Sequence, residues 1–343
     1  MRKREIYVRK KLFIILVILT LLLLLTANTY IKNKYKINII DYLKYMQGLS
    51  AEEKEVLSQK GKLVYGSDRN SPPMRFMDSE DGQYKGGVID YMNSLSLELG
   101  IEIEFKPLIW ENALKELEKG KTDICDMFYS KKRAEDYLFT DPLYLLRSVL
   151  LVDRSNSEIS SLAELKDKKV AMQKKDFAVD YVKSRMGDKL DYRMVNNIEE
   201  AIKLLVDDKV EAVIGDEPVV TYFSSRKNLN NKVKIVNPPL YEKYIRLAVP
   251  EESRELVSIL NKGIFSLRKK GILEGIQQKW FGLSGSIVNK DDNNILHLFL
   301  IFILLFVVIV TFFFIWNSIL NKKIKERTLE LEYSKNKLET IFD

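Results

Sequence analysis

The chain of 343 residues holds one cysteine, Cys125, and one histidine, His297. A lone cysteine excludes an internal disulfide. The residues for a zinc cluster or a Ser-His-Asp arrangement are absent from the middle of the chain, so neither a metal nor a cofactor is expected there. Repeats of fixed short period and low-complexity tracts are also missing. The formal charge is +7, but it is not carried by the middle. Residues 1–11 set Arg2, Lys3, Arg4, Arg9, Lys10 and Lys11 against Glu5 alone. From Asn317 onward six basic residues face five acidic ones, which leaves the long middle with a net of only +1. A nucleic-acid binder concentrates basic charge on its folded domain, so nucleic acid is excluded as a partner.

What is present is apolar residue in quantity, 46% of the chain, enough for two or three domains. Two long apolar runs frame the sequence. "LFIILVILTLLLLLTA", extended by "NTYI", covers residues 12–31, and "ILHLFLIFILLFVVIVTFFFIW" covers residues 295–316. Each is about the 20 residues that span a bilayer core. Basic clusters flank them on their outer-chain sides, "RKREIYVRKK" and "NKKIKER". The positive-inside rule then expects a two-pass protein of the cell membrane. Both termini, residues 1–11 and 317–343, are cytoplasmic and residues 32–294 extracytoplasmic. The competing reading of the first run is a cleaved signal peptide; "LTAN" is a faint cleavage site and the long run favours a retained anchor. His297, near the outer end of the second run, reads as an interfacial residue.

Between the runs, a helical lead-in (32–61) includes "IIDYLKYMQ" and a capping box of Ser50 with Glu53. Strand-like and helix-like stretches then alternate. "KLVYGS", "IEIEFKPL", "DICDMF", "KKVAMQ", "VEAVIGD" and "KVKIVN" read as strands, and "GVIDYMNSLSLELG", "ENALKELEKG", "AVDYVKSRM" and "IEEAIKLLVDD" as helices. This order implies an α/β fold with largely parallel sheets. "DSEDG" (Asp78 to Gly82) reads as a polar hairpin turn rather than a cation loop.

Six pieces in order resemble the family 3 extracellular solute-binding proteins. They are "LVYGSDRNSPPMRF", "GGVIDYMNSLSLELG", "LEKGKTDICDMFYSKKRAEDYLFTDPLY", "LKDKKVAMQ", "VDDKVEAVIGD" and "LNKGIFSLRKKGILEGIQQKWFG". The resemblance implies a bilobed flytrap of the type II periplasmic-binding-protein kind over residues 62–282. Lobe one would be 62–147 with 249–282, lobe two 153–244, and a linker 283–294 would follow. It also implies a small amino-acid or carboxylate ligand between the lobes; a flytrap-derived enzyme is the lesser alternative, since a few flytrap relatives catalyse dehydration, and the absence of a histidine from the cleft region argues for a protein that is not an enzyme. The segment "LSAEEKEVL" is similar to the one preceding flytrap domains in membrane-bound sensor kinases.

The family's signature falls on Ser130 and Arg133. The resemblance makes Arg133 the partner of a ligand carboxylate, which a guanidinium meets with two parallel bonds, and Ser130 an added donor. Asp216 matches the acidic position for the ligand ammonium, with Asp68 a second acceptor. Phe128 and Tyr129 would wall the site, and Gln173 would face it from lobe two. Plainer readings stand beside these. Arg133 could be a solvated charge paired with Glu135 or Asp136, Asp216 a helix cap before Pro218, and Phe128 and Tyr129 core. Three departures from the family pattern are visible: Ser71 where an aromatic residue is common, Phe128 where a small one is, and Lys175–Asp176 where glycine and a hydroxyl residue help hold the ligand carboxylate at a helix start.

After the second run, Ile324, Leu331 and Leu338 recur every seven residues, with Leu320 and Ile341 on the companion seam and Arg327 and Ser334 interrupting it. This predicts a short, imperfect coiled coil over 317–343 and a homodimer through it. The stretch looks like the signalling helix that leads into cytoplasmic output domains, so an output domain or partner outside this sequence is expected. A rival expectation is a tethered transport component.

Overall fold

The computed structural model of the chain describes residues 2–187, 189–281 and 294–342. They form two compact units: Leu43–Asn289, and the two ends Met1–Tyr42 with Lys290–Asp343. The N-terminal end is a single helix, α1 (Arg2–Tyr35). Its segment Phe13–Tyr35, 23 residues of mean hydropathy 2.4, is long and apolar enough to cross a bilayer.

Two short helices follow, α2 (Ile39–Tyr45) and α3 (Ala51–Lys60). The start of α3 is written in its sequence. Ser50 Oγ accepts from the Glu53 N–H at 3.1 Å, and Glu53 accepts from the Ser50 N–H at 2.8 Å, closing the capping box.

The strand β1 (Lys62–Asp68) leads into a small antiparallel sheet of β2 (Asn70–Ser71), β3 (Arg75–Met77) and β4 (Tyr84–Lys85). "DSEDG" is the turn between β3 and β4. Helix α4 (Gly87–Leu99) buries Val88, Ile89, Met92, Leu95 and Leu99, the three-and-four spacing of one apolar face. It stops at Gly100, whose φ of 68° is left-handed. Then come β5 (Glu102–Leu108), parallel to β1, and α5 (Trp110–Glu118). The strands β6 (Cys125–Phe128), β7 (Tyr137–Phe139) and β8 (Tyr144–Asp153) carry the chain to the second lobe. That lobe is built from β9 (Lys169–Gln173), α6 (Phe177–Met186), β10 (Asp191–Val195), α7 (Ile198–Val206), β11 (Ala212–Asp216) and α8 (Glu217–Arg226). The long strand β12 (Val233–Pro250) returns to the first lobe, where α9 (Arg254–Lys269) and α10 (Ile272–Phe281) complete it.

The main sheet runs β10-β9-β11-β8-β12-β6, with β7 also on β12. Here the structure departs from the largely parallel expectation. β9 is parallel to β10 and β11, but β8 is antiparallel to β11 and β12, and β12 to β6 and β7. The cause is topological: the chain leaves on β8 and returns beside it on β12, and a neighbouring return strand runs antiparallel.

Both leads into this unit are fastened to the first lobe. Glu53 of α3 accepts from Lys262 Nζ at 2.6 Å and Ser258 Oγ at 2.9 Å, both on α9. Tyr45 donates to Asp141 at 3.0 Å and accepts from Asn261 at 3.1 Å. At the exit, Trp280 Nε1 and Lys279 Nζ of α10 bond Asp90 of α4 at 2.7 and 2.6 Å. α9 lies hard against α4 because Gly263 has no side chain; a Cβ there would stand 2.5 Å from Leu95 Cδ1.

The last helix, α11 (Asn294–Phe342), is 49 residues long. Its Leu298–Asn336 segment contains a second membrane-length apolar window, mean hydropathy 3.4, and continues without a break into the polar "NKKIKER" stretch. Ile324 and Leu331 of the predicted heptad are exposed. The expected linker over 283–294 lies outside the described residues except Asn294, as do the side chains of His297, Leu338 and Ile341.

Candidate ligand-binding cleft

Four strands of the larger unit end at the same place. β1 ends at Asp68, β6 at Phe128, β9 at Gln173 and β11 at Asp216, and the first residues of α5 and α6 face them. Carboxyl ends of strands are where open α/β sheets hold ligands, since the following loops and helix starts supply polar groups there. These residues enclose a cavity of about 30 Å³ between the lobes. A wider basin of about 620 Å³ shares Arg133 and Asp176 with it, and there Lys132 of the first lobe bonds Asp180 of the second at 3.0 Å.

Five of the seven residues expected at the site line this cavity: Asp68, Phe128, Arg133, Gln173 and Asp216. Arg133 begins a 3-10 turn, and its own N–H donates to Ser130 Oγ at 3.1 Å. Its guanidinium is buried. Nη1 donates to the Phe128 carbonyl at 3.1 Å, and Nη2 crosses to the Lys175 carbonyl of the second lobe at 3.0 Å. The carbon of the guanidinium stands 5.8 Å from the Trp110 ring centre and 6.0 Å from that of Phe177, a cation–π setting on two sides. Trp110 Nε1 donates to the same Lys175 carbonyl at 3.2 Å. Lys175 presents that carbonyl from a left-handed backbone, φ 59°.

Ser130 therefore positions Arg133 and does not line the cavity. Tyr129 is not among the lining residues either; it is 42% exposed, packs edge-on to Phe139 and lies under Arg246. Phe128 is buried and packs tilted against Phe177 and edge-on to Tyr241 of the second lobe, at 5.4 and 5.7 Å between ring centres. It is both core and wall. Asp68 accepts from Ser71 Oγ at 2.8 Å and from Gln173 Nε2 at 2.7 Å, a second bond across the lobes.

Among the other lining residues are Arg75, Trp110, Asp126 and Asp176, which the sequence did not single out as a site. Asp126 is almost completely buried and fully satisfied. It accepts from Tyr65 OH at 2.6 Å, Ser67 Oγ at 2.8 Å and Tyr144 OH at 3.1 Å, and pairs with Arg75 Nη1 at 3.0 Å. Strand alternation could have shown only that Arg75 points one way from a three-residue strand. Its partner lies on β6, distant in sequence. Asp176 was visible as a departure at a helix start, and it is the N-cap of α6: its Oδ1 accepts from the Ala178 N–H at 2.7 Å.

The acids differ in how they are served. Asp216 precedes Pro218 and occupies the N-cap position of α8, but its side chain makes no cap hydrogen bond. Its Oδ1 is fully buried and has no hydrogen-bond partner. Burial, and then the neighbouring Asp176 carboxylate, push the Asp216 carboxyl well above the usual range. Burial also raises Asp176, against the opposing pull of the Ala178 N–H and Arg133. Such a cavity can receive a hydrogen-bond donor at Asp216, and it joins the lobes through Arg133 and Gln173. The described residues contain no group of three or more His, Cys, Asp and Glu disposed to hold a metal ion.

Known proteins share this architecture. A solved structure of an ancestral arginine-binding protein bound to glutamine is 30% identical and covers 65% of this chain and 98% of its own, with a TM-score of 0.60. A histidine kinase sensor domain with similarity to periplasmic binding proteins is 25% identical, covering 64% of this chain and 96% of its own at a TM-score of 0.61. The L-cystine-binding protein TcyA of Bacillus subtilis is 23% identical over 228 residues, 66% of this chain and 83% of the relative. The model of one family matches residues 63–283. The chain belongs to the bacterial extracellular solute-binding proteins, family 3.

Proposed function

We propose that the protein is a membrane-anchored extracytoplasmic sensor that binds a small amino-acid-like or carboxylate solute between its lobes. The observation that carries this is the cavity itself: charged groups of both lobes converge on it, and Asp216 Oδ1 is left without a donor. An ammonium answers Asp216. Arg133, at the seam, is placed for a carboxylate once the lobes part. The solute-bound closed form gains contacts from both halves and its population rises accordingly.

Two apolar helices at the ends of the chain support anchoring, and the likeness to a histidine kinase sensor domain supports signalling. Because both chain leads are tied to the first lobe, closure moves the second lobe past a half that holds both membrane connections. A second copy, paired through the predicted heptad of 317–343, is then the natural reader of that movement, and an output domain or partner takes the signal onward.

A second reading, a tethered component of an amino-acid transport system, is favoured by relatives named as binding proteins of amino-acid transporters. Delivery to a permease needs no helix like α11, which continues past the apolar stretch into a charged one. Calorimetric titration of the full chain in lipid nanodiscs against amino acids, amines and small carboxylates tests the binding. A folded chain that binds none of them is not such a sensor.

A further inference from the structure

We infer that Arg75 is a second handle for the solute's carboxylate, the solute being a zwitterion whose two charges are met by Arg75 of the first lobe and Asp216 of the second. This rests on the cleft being a solute site, as proposed above, and adds a residue that lies outside the Ser130–Arg133 signature.

Among the described residues, two buried side-chain atoms at this cavity have no hydrogen-bond partner: Arg75 Nε, a donor, and Asp216 Oδ1, an acceptor. Neither meets the other. Each has given up hydration with nothing in return. They stand on opposite halves, Arg75 on β3 and Asp216 at the end of β11. A solute with an acceptor at one end and a donor at the other satisfies both and ties the lobes together. A free amino-acid head has that form, since its carboxylate only accepts and its ammonium only donates.

The chain holds Arg75 ready for this. Nη1 is paired with Asp126 at 3.0 Å, and the guanidinium carbon stands 5.7 Å from the Trp110 ring centre. Arg133 stands 5.8 Å from the same ring, so one indole gathers two guanidinium groups at the cavity wall. Their commitments differ. Arg133 Nη2 is spent on the Lys175 carbonyl and comes free only as the lobes part. Arg75 Nε has no bond to lose. Its charge also reaches the far lobe: burial and Asp176 raise the Asp216 carboxyl, and Arg75 leads the groups that oppose the rise.

At about 30 Å³ the cavity is on the scale of roughly two water molecules, taking about 10–15 Å³ for each. A zwitterionic head therefore widens it. Widening breaks the Arg133–Lys175 and Gln173–Asp68 bonds between the lobes, whereas contacts to the two unpaired atoms are gained at no such loss.

The test uses matched pairs that differ only by the carboxylate: alanine with ethylamine, and ornithine with 1,4-diaminobutane. Each is titrated calorimetrically into the full chain in lipid nanodiscs at about neutral pH. At least one pair should bind, with the amino acid held at least about tenfold more tightly than its amine, the scale of one charged hydrogen bond. Arg75→Lys keeps a cation for Asp126 and loses the Nε–H, so it should cut that preference about tenfold. The double variant Arg75→Met with Asp126→Asn should do the same without stranding a charge, because asparagine still accepts from the hydroxyls around it. A purely structural role for Arg75 would weaken both members of a pair alike and leave their ratio unchanged. A ratio unmoved in a folded variant, an amine that binds as tightly as its amino acid, or binding of neither member of either pair overturns the inference. If another solute of the wider panel binds in that case, the sensor reading stands; if none binds, both fall.

Discussion

Arg133 of the first lobe donates to the backbone carbonyl of Lys175 in the second lobe at 3.0 Å. One side chain thus fastens together two halves whose covalent connection is the crossing strands β8 and β12. The bond ends on a carbonyl that Trp110 also holds, so the Lys175 turn is gripped from two sides by first-lobe donors. The consequences can be measured.

Removing the guanidinium should be felt in binding. Arg133→Ala loses two charge-assisted hydrogen bonds and two ring contacts at the seam of the closed form. Solute affinity should fall by about 2–5 kcal/mol, the scale for truncating a buried charged partner. Titration calorimetry of parent and variant reads this directly, and equal affinities would remove Arg133 from the site.

Asp126 should matter for stability rather than for choice of solute. It is the shared acceptor of Tyr65, Ser67, Tyr144 and Arg75, with 1% of its side chain exposed. Asp126→Ala strands a buried guanidinium and three hydroxyls, at a cost of about 3–5 kcal/mol. Denaturant unfolding gives the value; a loss under about 1 kcal/mol would show that the cage is dispensable.

Glu53 should set part of the acid limb of stability. Burial raises its pKa, but the Lys262 ammonium, the Ser50 N–H and the Ser258 hydroxyl outweigh burial and hold it below the ordinary 4.5. A depressed carboxylate stabilises fully above its unfolded value. That stability is lost as pH falls from about 4.5 through the lower folded value. Glu53→Gln should cost about 1.5 kcal/mol at neutral pH, since glutamine keeps the cap but loses the charged bond. It should also flatten the stability profile below that pH, as followed by unfolding at several acid pH values.

Asp216 carries the opposite sign. Burial and Asp176 raise its carboxyl, so the folded state prefers it protonated. Its stabilising contribution is present below the ordinary 3.8 and is lost as pH rises through the folded value. Asp216→Asn should stabilise the protein at neutral pH by about 0.5–2 kcal/mol and abolish solute binding. A variant that is no more stable, or that binds as the parent does, contradicts the assignment.

Topology can be read by labelling. Cys125 is fully buried, and burial followed by the Asp126 charge pushes its thiol up to about 12, so it is a silent background. Asn230→Cys, exposed on the second lobe, should react with an impermeant maleimide in intact cells. Lys335→Cys on α11 should react only after permeabilisation. The reverse pattern would place the cleft on the cytoplasmic side.

The sequence by itself determined what depends on neighbours along the chain. The Ser50–Glu53 capping box, the buried stripe of α4 and the membrane-length runs all follow from spacing, because a helix presents its residues at a set period. Arg133, Asp68, Phe128, Gln173 and Asp216 were legible as candidates because each sits in a recognisable stretch at an element's end, and the fold brings them to one cavity. Tertiary structure alone decided which charges meet. Arg75 and Asp126 come from β3 and β6. Asp176 and Asp216 come from different strand–helix turns, and Arg133 finds its acceptor in the other lobe. The hydrogen-bonding needs of these buried groups are settled only when the lobes close on one another, which is why an arginine that sequence reads as a handhold for a solute is also a clasp between the two halves.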